Sequence, residues 1–321
     1  MSMYRPNLVI AGVPKAGTTS LFRYLSEHPD ICASSVKEIR FFTRHHGRID
    51  ETTLLEYAQY FPPADARRYR MEASPGYLFR AGDIAEEMRS HLPQDTRLLF
   101  LLREPVARLL SFYFAQMSKV GSIRESVTFD DYVRIALDGG DLARVNEDTS
   151  LAQNMVNRVY EGLYADSLRQ FMKFWPRAQL FVGFMETMQQ SPRVFMSEVC
   201  KFLNVDPGFY ERYSFPIENR TQAPRFGQIH RFVHGLNRRF ESDLNRLPAL
   251  RRAGRTVYNA LLTTRGTTKP SANPETRRRL RDFYAKQNKD LISLCIDELG
   301  VTVPDWLAQG SETAAHSHRS L

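Results

Sequence analysis

The feature that most constrains the fold is a short apolar run at residues 7–11 (NLVIA) that stops at Gly12 and passes through a small-residue loop into helical spacing. Beyond Gly17 the apolar positions are Leu21, Tyr24 and Leu25, one face of a helix, before His28 and Pro29 end it. The order strand, glycine loop, helix recurs at residues 97–102 (RLLFLL), a continuous apolar run of the kind buried on both faces. Arg103-Glu104-Pro105 follows, then helical spacing at Val106, Leu109, Leu110, Tyr113, Phe114 and Met117, with Pro105 suited to the first turn. A third unit has a helical stripe at Tyr164, Leu168, Phe171 and Met172, a break at Pro176, a strand at residues 179–184 (QLFVGF) and helical spacing again over 194–203. Such alternation predicts an α/β fold: a doubly wound, mostly parallel sheet flanked by helices, in a single domain whose ligand sites lie at the carboxyl ends of the strands.

The predicted domain runs over residues 5–306, with a polar, mobile insertion at 119–150 around Gly139-Gly140, a last helix from about Pro274 and a disordered tail at 307–321. No apolar run approaches the ~18 residues of a membrane span, and the first residues lack the apolar core and cleavage site of a secretory leader, which points to the cytoplasm. Cys32, Cys200 and Cys295 are too far apart for a metal or redox pair and are expected as reduced, buried thiols; no metal site is expected. The formal net charge of +8 is uneven: residues 225–289 hold 16 Lys and Arg against 4 Asp and Glu. That segment suits a solvated helical face, an anionic ligand or peripheral contact with a membrane surface. A nucleic-acid partner is not expected, since no helix-turn-helix, zinc-finger, RNP or KH signature accompanies the charge. Oligomeric state has no signature in the sequence.

The loop Gly12-Val13-Pro14-Lys15-Ala16-Gly17-Thr18-Thr19-Ser20 places small residues where backbone must approach a ligand, and opens into a helix whose first N–H groups are unpaired. An anion belongs there, with Lys15 as a mobile point charge. A Walker A loop puts its lysine directly after the second glycine with Ser or Thr next to it; here Lys15 precedes Gly17, so a magnesium nucleoside triphosphate fits poorly.

GVPKAGTTSL resembles the 5′-phosphosulfate loop of sulfotransferases that use 3′-phosphoadenosine 5′-phosphosulfate (PAPS), and HPDICASSVKEIRFF is similar to the bacterial and heparan-sulfate-type branch of that family. The resemblance implies a P-loop-like sheet and Pro14, Lys15, Ala16, Gly17, Thr18, Thr19 and Ser20 as donor-binding residues. It also implies a 3′-phosphate clamp made by an arginine at a strand end and a serine eight residues on, which LLFLLREPVARLLSFY matches with Arg103 and Ser111. A planar guanidinium and a hydroxyl suit phosphate oxygens. By residues alone, Arg103 could instead pair with Glu72 or Glu104, and Arg108 is either a further ligand or an exposed helix residue. Asn219-Arg220-Thr-Gln-Ala-Pro-Arg225 is similar to a basic loop over the nucleotide, making Arg225 or Arg220 a further candidate.

The resemblance further implies Glu38 of KEIRFF as the base, if partial burial raises its pKa, and Lys15 as the electrostatic partner of the leaving phosphate. The alternative for Glu38 is a surface carboxylate paired with Lys37 or Arg40. His91 is expected at a helix end, while His45 and His46 either line the acceptor cleft or sit in an exposed loop. Ala73 stands where glycosaminoglycan-type relatives often carry a lysine, which speaks against a heparan-like acceptor, while the KEIRFF segment implies a carbohydrate or glycolipid hydroxyl, the alternative being a small aromatic or polyketide-type alcohol. A P-loop phosphotransferase or a non-catalytic nucleotide-binding module are the readings from other classes.

Overall fold

A computed structural model describes residues 5–62, 67–117, 122–124, 126–216, 223–224, 263–264 and 272–308. The chain divides into two compact units, one comprising residues 1–108, 161–219 and 280–321, the other residues 109–160 and 220–279. The first carries a five-stranded parallel sheet of β1 (Leu8–Gly12), β2 (Ile31–Ala33), β3 (Tyr69–Ala73), β4 (Arg97–Leu102) and β5 (Leu180–Phe184), ordered β2-β3-β1-β4-β5. The three predicted strands are present; β2 and β3 are additions. β3 (YRMEA) carries Arg70 and Glu72, which break the apolar run that announces a buried strand, and β2 is only three residues long.

Every residue of β1 is buried, as its central position requires. β1 pairs with β3 through Leu8–Met71, Val9–Glu72 and Ile10–Ala73, and on its other side with β4. The chain reverses direction across the sheet at β1, so the loops after β1, β3 and β4 leave from neighbouring strand ends, the usual ligand position in open α/β sheets. Helices α1 (Thr18–Ser26), α2 (Phe41–Arg44), α3 (Glu51–Ala58), α4 (Ala81–His91), α5 (Pro105–Met117), α8 (Tyr164–Met172), α9 (Met185–Gln190) and α10 (Pro192–Leu203) belong to this chain order, α5 running on into the second unit. Trp175 is buried beneath α4 and donates its indole N–H to the Ala85 carbonyl at 3.3 Å. The three cysteines are buried and none is in a disulfide. No helix among the described residues is long and apolar enough to cross a membrane.

The second unit holds α6 (Phe129–Asp138) within the stretch expected as a polar, mobile insertion, and α7 (Thr149–Val156) at its end. Its polarity is that of helix caps: Thr128 Oγ1 accepts from the Asp131 N–H at 3.0 Å and Asp148 from the Leu151 N–H at 3.0 Å. Tyr113, Phe129 and Tyr132 pack as an aromatic cluster beneath them, and Arg279 of α11 (Pro274–Gln287) pairs with Asp138 at the end of α6. Helix α11 starts at Pro274, as the sequence predicts. The tail from residue 309 and nearly all of the basic segment before residue 272 lie outside the described residues.

After α11 the chain returns to the first unit and is fastened there by a buried asparagine. Asn288 Oδ1 accepts from the Tyr164 N–H at 3.0 Å, and its Nδ2 donates to the Gly162 carbonyl at 2.7 Å. Gly162 is required at this point, because a Cβ would lie 2.4 Å from the Tyr284 ring and 2.9 Å from Pro105. Leucine at position 288 would strand a buried N–H and a buried carbonyl, each costing about 1–3 kcal/mol. Asn288→Leu is therefore expected to lower the unfolding free energy by about 2–4 kcal/mol, read from the urea midpoint at unchanged slope. An unchanged midpoint would contradict this account.

Candidate active site

The loop after β1 turns through left-handed backbone at Lys15 (φ 72°) and Gly17 (φ 82°) before α1 starts at Thr18. Gly17 suits the conformation, and a Cβ there would also come within 3.0 Å of Met188. The N-cap Gly17 makes no side-chain cap and the first turn of α1 holds no acidic residue, so no carboxylate there offsets the positive end of the helix dipole. Pro14, Lys15, Gly17 and Thr19 are half-buried, while Ala16, Thr18 and Ser20 are buried.

Arg103 leaves the end of β4 and donates from Nη1 to the Lys15 carbonyl at 2.7 Å. Two motifs 88 residues apart in sequence thus adjoin. The Tyr164 hydroxyl holds the Arg103 carbonyl at 2.8 Å, and Glu104 caps α5 by accepting from the Ala107 N–H at 2.6 Å. Burial pushes the Arg103 pKa down, against the pull of Glu186, Tyr164 and Glu104, so the guanidinium sits where a further anion would be welcome. Ser111 lies half-buried on α5, in the second unit. Arg108 is not an exposed helix residue: it is fully buried, 3.2 Å from Glu161 and over the Phe79 ring. Arg225 and Arg220 lie outside the described residues.

Glu38 sits in the turn between β2 and α2, with φ 67°, followed by Arg40 at φ 57°. Left-handed backbone at a non-glycine residue costs on the order of 1–3 kcal/mol and needs surrounding structure to hold it. Here that structure is the end of β3: the Glu38 N–H donates to the Ala73 carbonyl at 3.0 Å and the Arg40 N–H to Ser74 Oγ at 2.8 Å. The Glu38 carboxylate is half-buried, 3.6 Å from Lys37 Nζ and paired through Oε2 with the Arg40 guanidinium, whose Nε lies at 3.0 Å. The expectation of a raised pKa fails at this point. Desolvation does push Glu38 upward, but the hydrogen bond from Arg40 and the charges of Lys37 and Arg40 outweigh it, and the pKa ends below the usual value. Lys37 is lowered by its own burial, more than Glu38 raises it.

A carboxylate that the sequence did not single out as a site residue lies directly beneath this turn. Glu72 is fully buried at the end of β3, accepting from the Tyr57 hydroxyl at 2.8 Å and from Ser74 Oγ at 3.1 Å. Desolvation raises its pKa to about 7, more than hydrogen bonds from Tyr57, Tyr77 and Ser74 lower it. The only sequence signal was a pair of charges, Arg70 and Glu72, two residues apart in a short strand. The histidines take minor places: His91 ends α4 with Nδ1 2.8 Å from the Glu87 carbonyl, His46 lies 3.0 Å from the Glu87 carboxylate, and His45 stacks on Phe41.

The Sulfotransferase domain family profile matches residues 5–215, two thirds of the chain and the whole of the sheet. The chain belongs to this family. Membership implies a transferase with PAPS as co-substrate. The domain is 26% identical over 286 residues to human heparan sulfate glucosamine 3-O-sulfotransferase 3B1, covering 88% of this chain and 61% of that protein. It is 25% identical over 315 residues to bovine bifunctional heparan sulfate N-deacetylase/N-sulfotransferase 2, covering 95% of this chain and 31% of that one. This chain thus spans less than two thirds of the relatives' own length. Among solved structures, a sulfotransferase from Alicyclobacillus acidocaldarius shares the fold with a TM-score of 0.60 and 22% identity, over 94% of this chain and 99% of that one.

The buried Glu72 makes the sulfotransferase domain sensitive to pH. The folded protein holds the Glu72 proton more tightly than the unfolded chain does, so the group favours folding below the ordinary carboxylate value of 4.5, and this contribution is lost as the pH rises through about 7. Wild type is therefore expected to lose stability relative to Glu72→Gln between pH 5 and pH 8, by up to roughly 3 kcal/mol or several degrees of melting temperature. A melting-temperature gap that does not change with pH would contradict this.

Proposed function

We propose that this chain transfers the sulfuryl group of PAPS to a carbohydrate or glycolipid hydroxyl, with Glu38 as the base. The observation that carries the proposal is the adjacency of the loop after β1 and Arg103, joined by the 2.7 Å bond to the Lys15 carbonyl, while the strained turn that bears Glu38 is fastened to the end of β3, the strand paired with β1. The residues present suit the donor: the loop and the start of α1 would receive its 5′-phosphosulfate, and Arg103 its 3′-phosphate. PAPS supplies the sulfuryl group. The acceptor oxygen bonds to sulfur in line with the sulfur–oxygen bond to the 5′-phosphate that breaks, and the hydroxyl proton passes to Glu38. Charge left on the 5′-phosphate is met by Lys15 and the loop N–H groups, a role that needs donors fixed in advance.

A lowered pKa fits this role in one respect: Glu38 is ionised and ready throughout the neutral range. Its cost is weaker basicity, so an incoming hydroxyl must replace the Arg40 guanidinium as the partner of Oε2. The glycan acceptor is supported by the relatives, whose names specify heparan sulfate, and by the KEIRFF turn that carries Glu38 and Arg40.

The test is transfer of labelled sulfate from PAPS to a panel of oligosaccharides, glycolipids, phenols and simple alcohols. Turnover of the sugar acceptors is expected, with Glu38→Gln lowering kcat by about 10²–10⁴-fold while the product nucleotide still binds. Turnover of phenols alone would overturn the acceptor class, and a Glu38→Gln enzyme as fast as wild type would overturn the base.

A further inference from the structure

The turn that carries Glu38 has no glycine to accommodate its left-handed residues, and α2 begins directly after it without a side-chain cap. Its conformation is imposed by what lies underneath. Two bonds reach it from the end of β3, one from the Ala73 carbonyl and one through Ser74 Oγ. The first is backbone and independent of side-chain identity. The second depends on a hydroxyl that accepts from the Arg40 N–H and donates its own proton to Glu72 Oε2 at 3.1 Å. Glu72 offers the carboxylate acceptor that takes the one proton a hydroxyl has to give, with the Tyr77 hydroxyl in contact with both side chains. Glu72 is held in turn by the Tyr57 hydroxyl on Oε1, and Tyr57 lies face to face with Phe41 of α2 at a centroid distance of 4.1 Å. Glu72, Ser74, Tyr57 and Tyr77 are all 1% exposed or less, so water does not substitute for any of these bonds.

We propose that Glu72 is a positioning residue for Glu38, acting through Ser74 Oγ and the Arg40 N–H to hold the turn in the geometry that turnover requires. The inference rests on the reading of Glu38 as the base. Glu72 does not touch substrate; it orders the hydroxyl that fixes the backbone two residues beyond Glu38. Misplacement of a reacting group by about 1 Å can cost on the order of 10²-fold in rate, so a loosened turn reduces kcat without requiring any change in donor affinity. Tyr57→Phe separates this route from general loosening of the buried cluster, since it removes a different hydrogen bond to Glu72 and leaves the Ser74 bridge in place.

The experiment compares Ser74→Ala, Glu72→Leu and Tyr57→Phe for kcat, acceptor KM, affinity for 3′-phosphoadenosine 5′-phosphate and melting temperature, with Glu38→Gln alongside. Ser74→Ala and Glu72→Leu, which remove the hydroxyl and its acceptor, are expected to lower kcat at least ~10-fold with product-nucleotide affinity within ~2-fold of wild type, and Tyr57→Phe to lower kcat less than ~3-fold despite a comparable drop in melting temperature. Should Ser74→Ala be folded and turn over like wild type while Glu38→Gln is inactive, the positioning role is wrong and the base stands. Equal losses of kcat in Ser74→Ala and Tyr57→Phe, in proportion to their melting temperatures, would reduce the cluster to a structural one. Full activity of Glu38→Gln would remove the reading on which the inference rests, whatever the other variants do.

Discussion

The pairing of β1 with β3 on one side and β4 on the other is the constraint from which the site follows. It is a requirement of backbone hydrogen bonding within a buried parallel sheet, and it brings three chain segments of different origin to one edge. The loop after β1 provides backbone that has turned left-handed at Lys15 and Gly17. The end of β4 provides Arg103, which closes on that loop through the Lys15 carbonyl. The end of β3 provides a carbonyl and a serine hydroxyl that hold the turn carrying Glu38. None of these groups reaches its neighbours through sequence proximity, and shifting one strand by a single residue would turn its side chains to the other face.

Electrostatics in this corner set two carboxylates apart. Glu72 is stripped of water and raised to about 7, whereas Glu38, half-buried, is lowered by Arg40 and Lys37. Neighbouring carboxyl groups with opposed shifts are a recurring arrangement where one must stay ionised and another must anchor structure. Tyr57 and Tyr77 around Glu72 are pushed upward by burial, so they remain neutral donors through the physiological range. The strain stored at Glu38 and Arg40 is sustained because the layer beneath them is fully buried and hydrogen-bonded.

The donor half of the site was legible in the sequence because its physics is local: an apolar strand, a small-residue loop and a helix start are contiguous at residues 7–25, and Arg103 ends a strand of unbroken apolar residues. The strands β2 and β3 were not legible, since one is too short to show a pattern and the other carries Arg70 and Glu72 where only tertiary partners make them tolerable. The pKa of Glu38 was misjudged for the same reason. Burial could be guessed from the motif, but the return of the Arg40 side chain onto Glu38 depends on left-handed backbone that residue types alone do not announce. The burial of Arg108 likewise depends on Glu161, 53 residues further along the chain.

The most direct measurement of the central claim, that the joined loop and Arg103 form the donor site, is calorimetric titration with 3′-phosphoadenosine 5′-phosphate against 5′-AMP, without magnesium, in wild type and Arg103→Ala. The account predicts a marked preference of wild type for the 3′-phosphorylated nucleotide and its loss in the variant. Equal affinity for the two nucleotides, or binding of ATP that requires magnesium, would contradict it and favour phosphoryl-transfer chemistry.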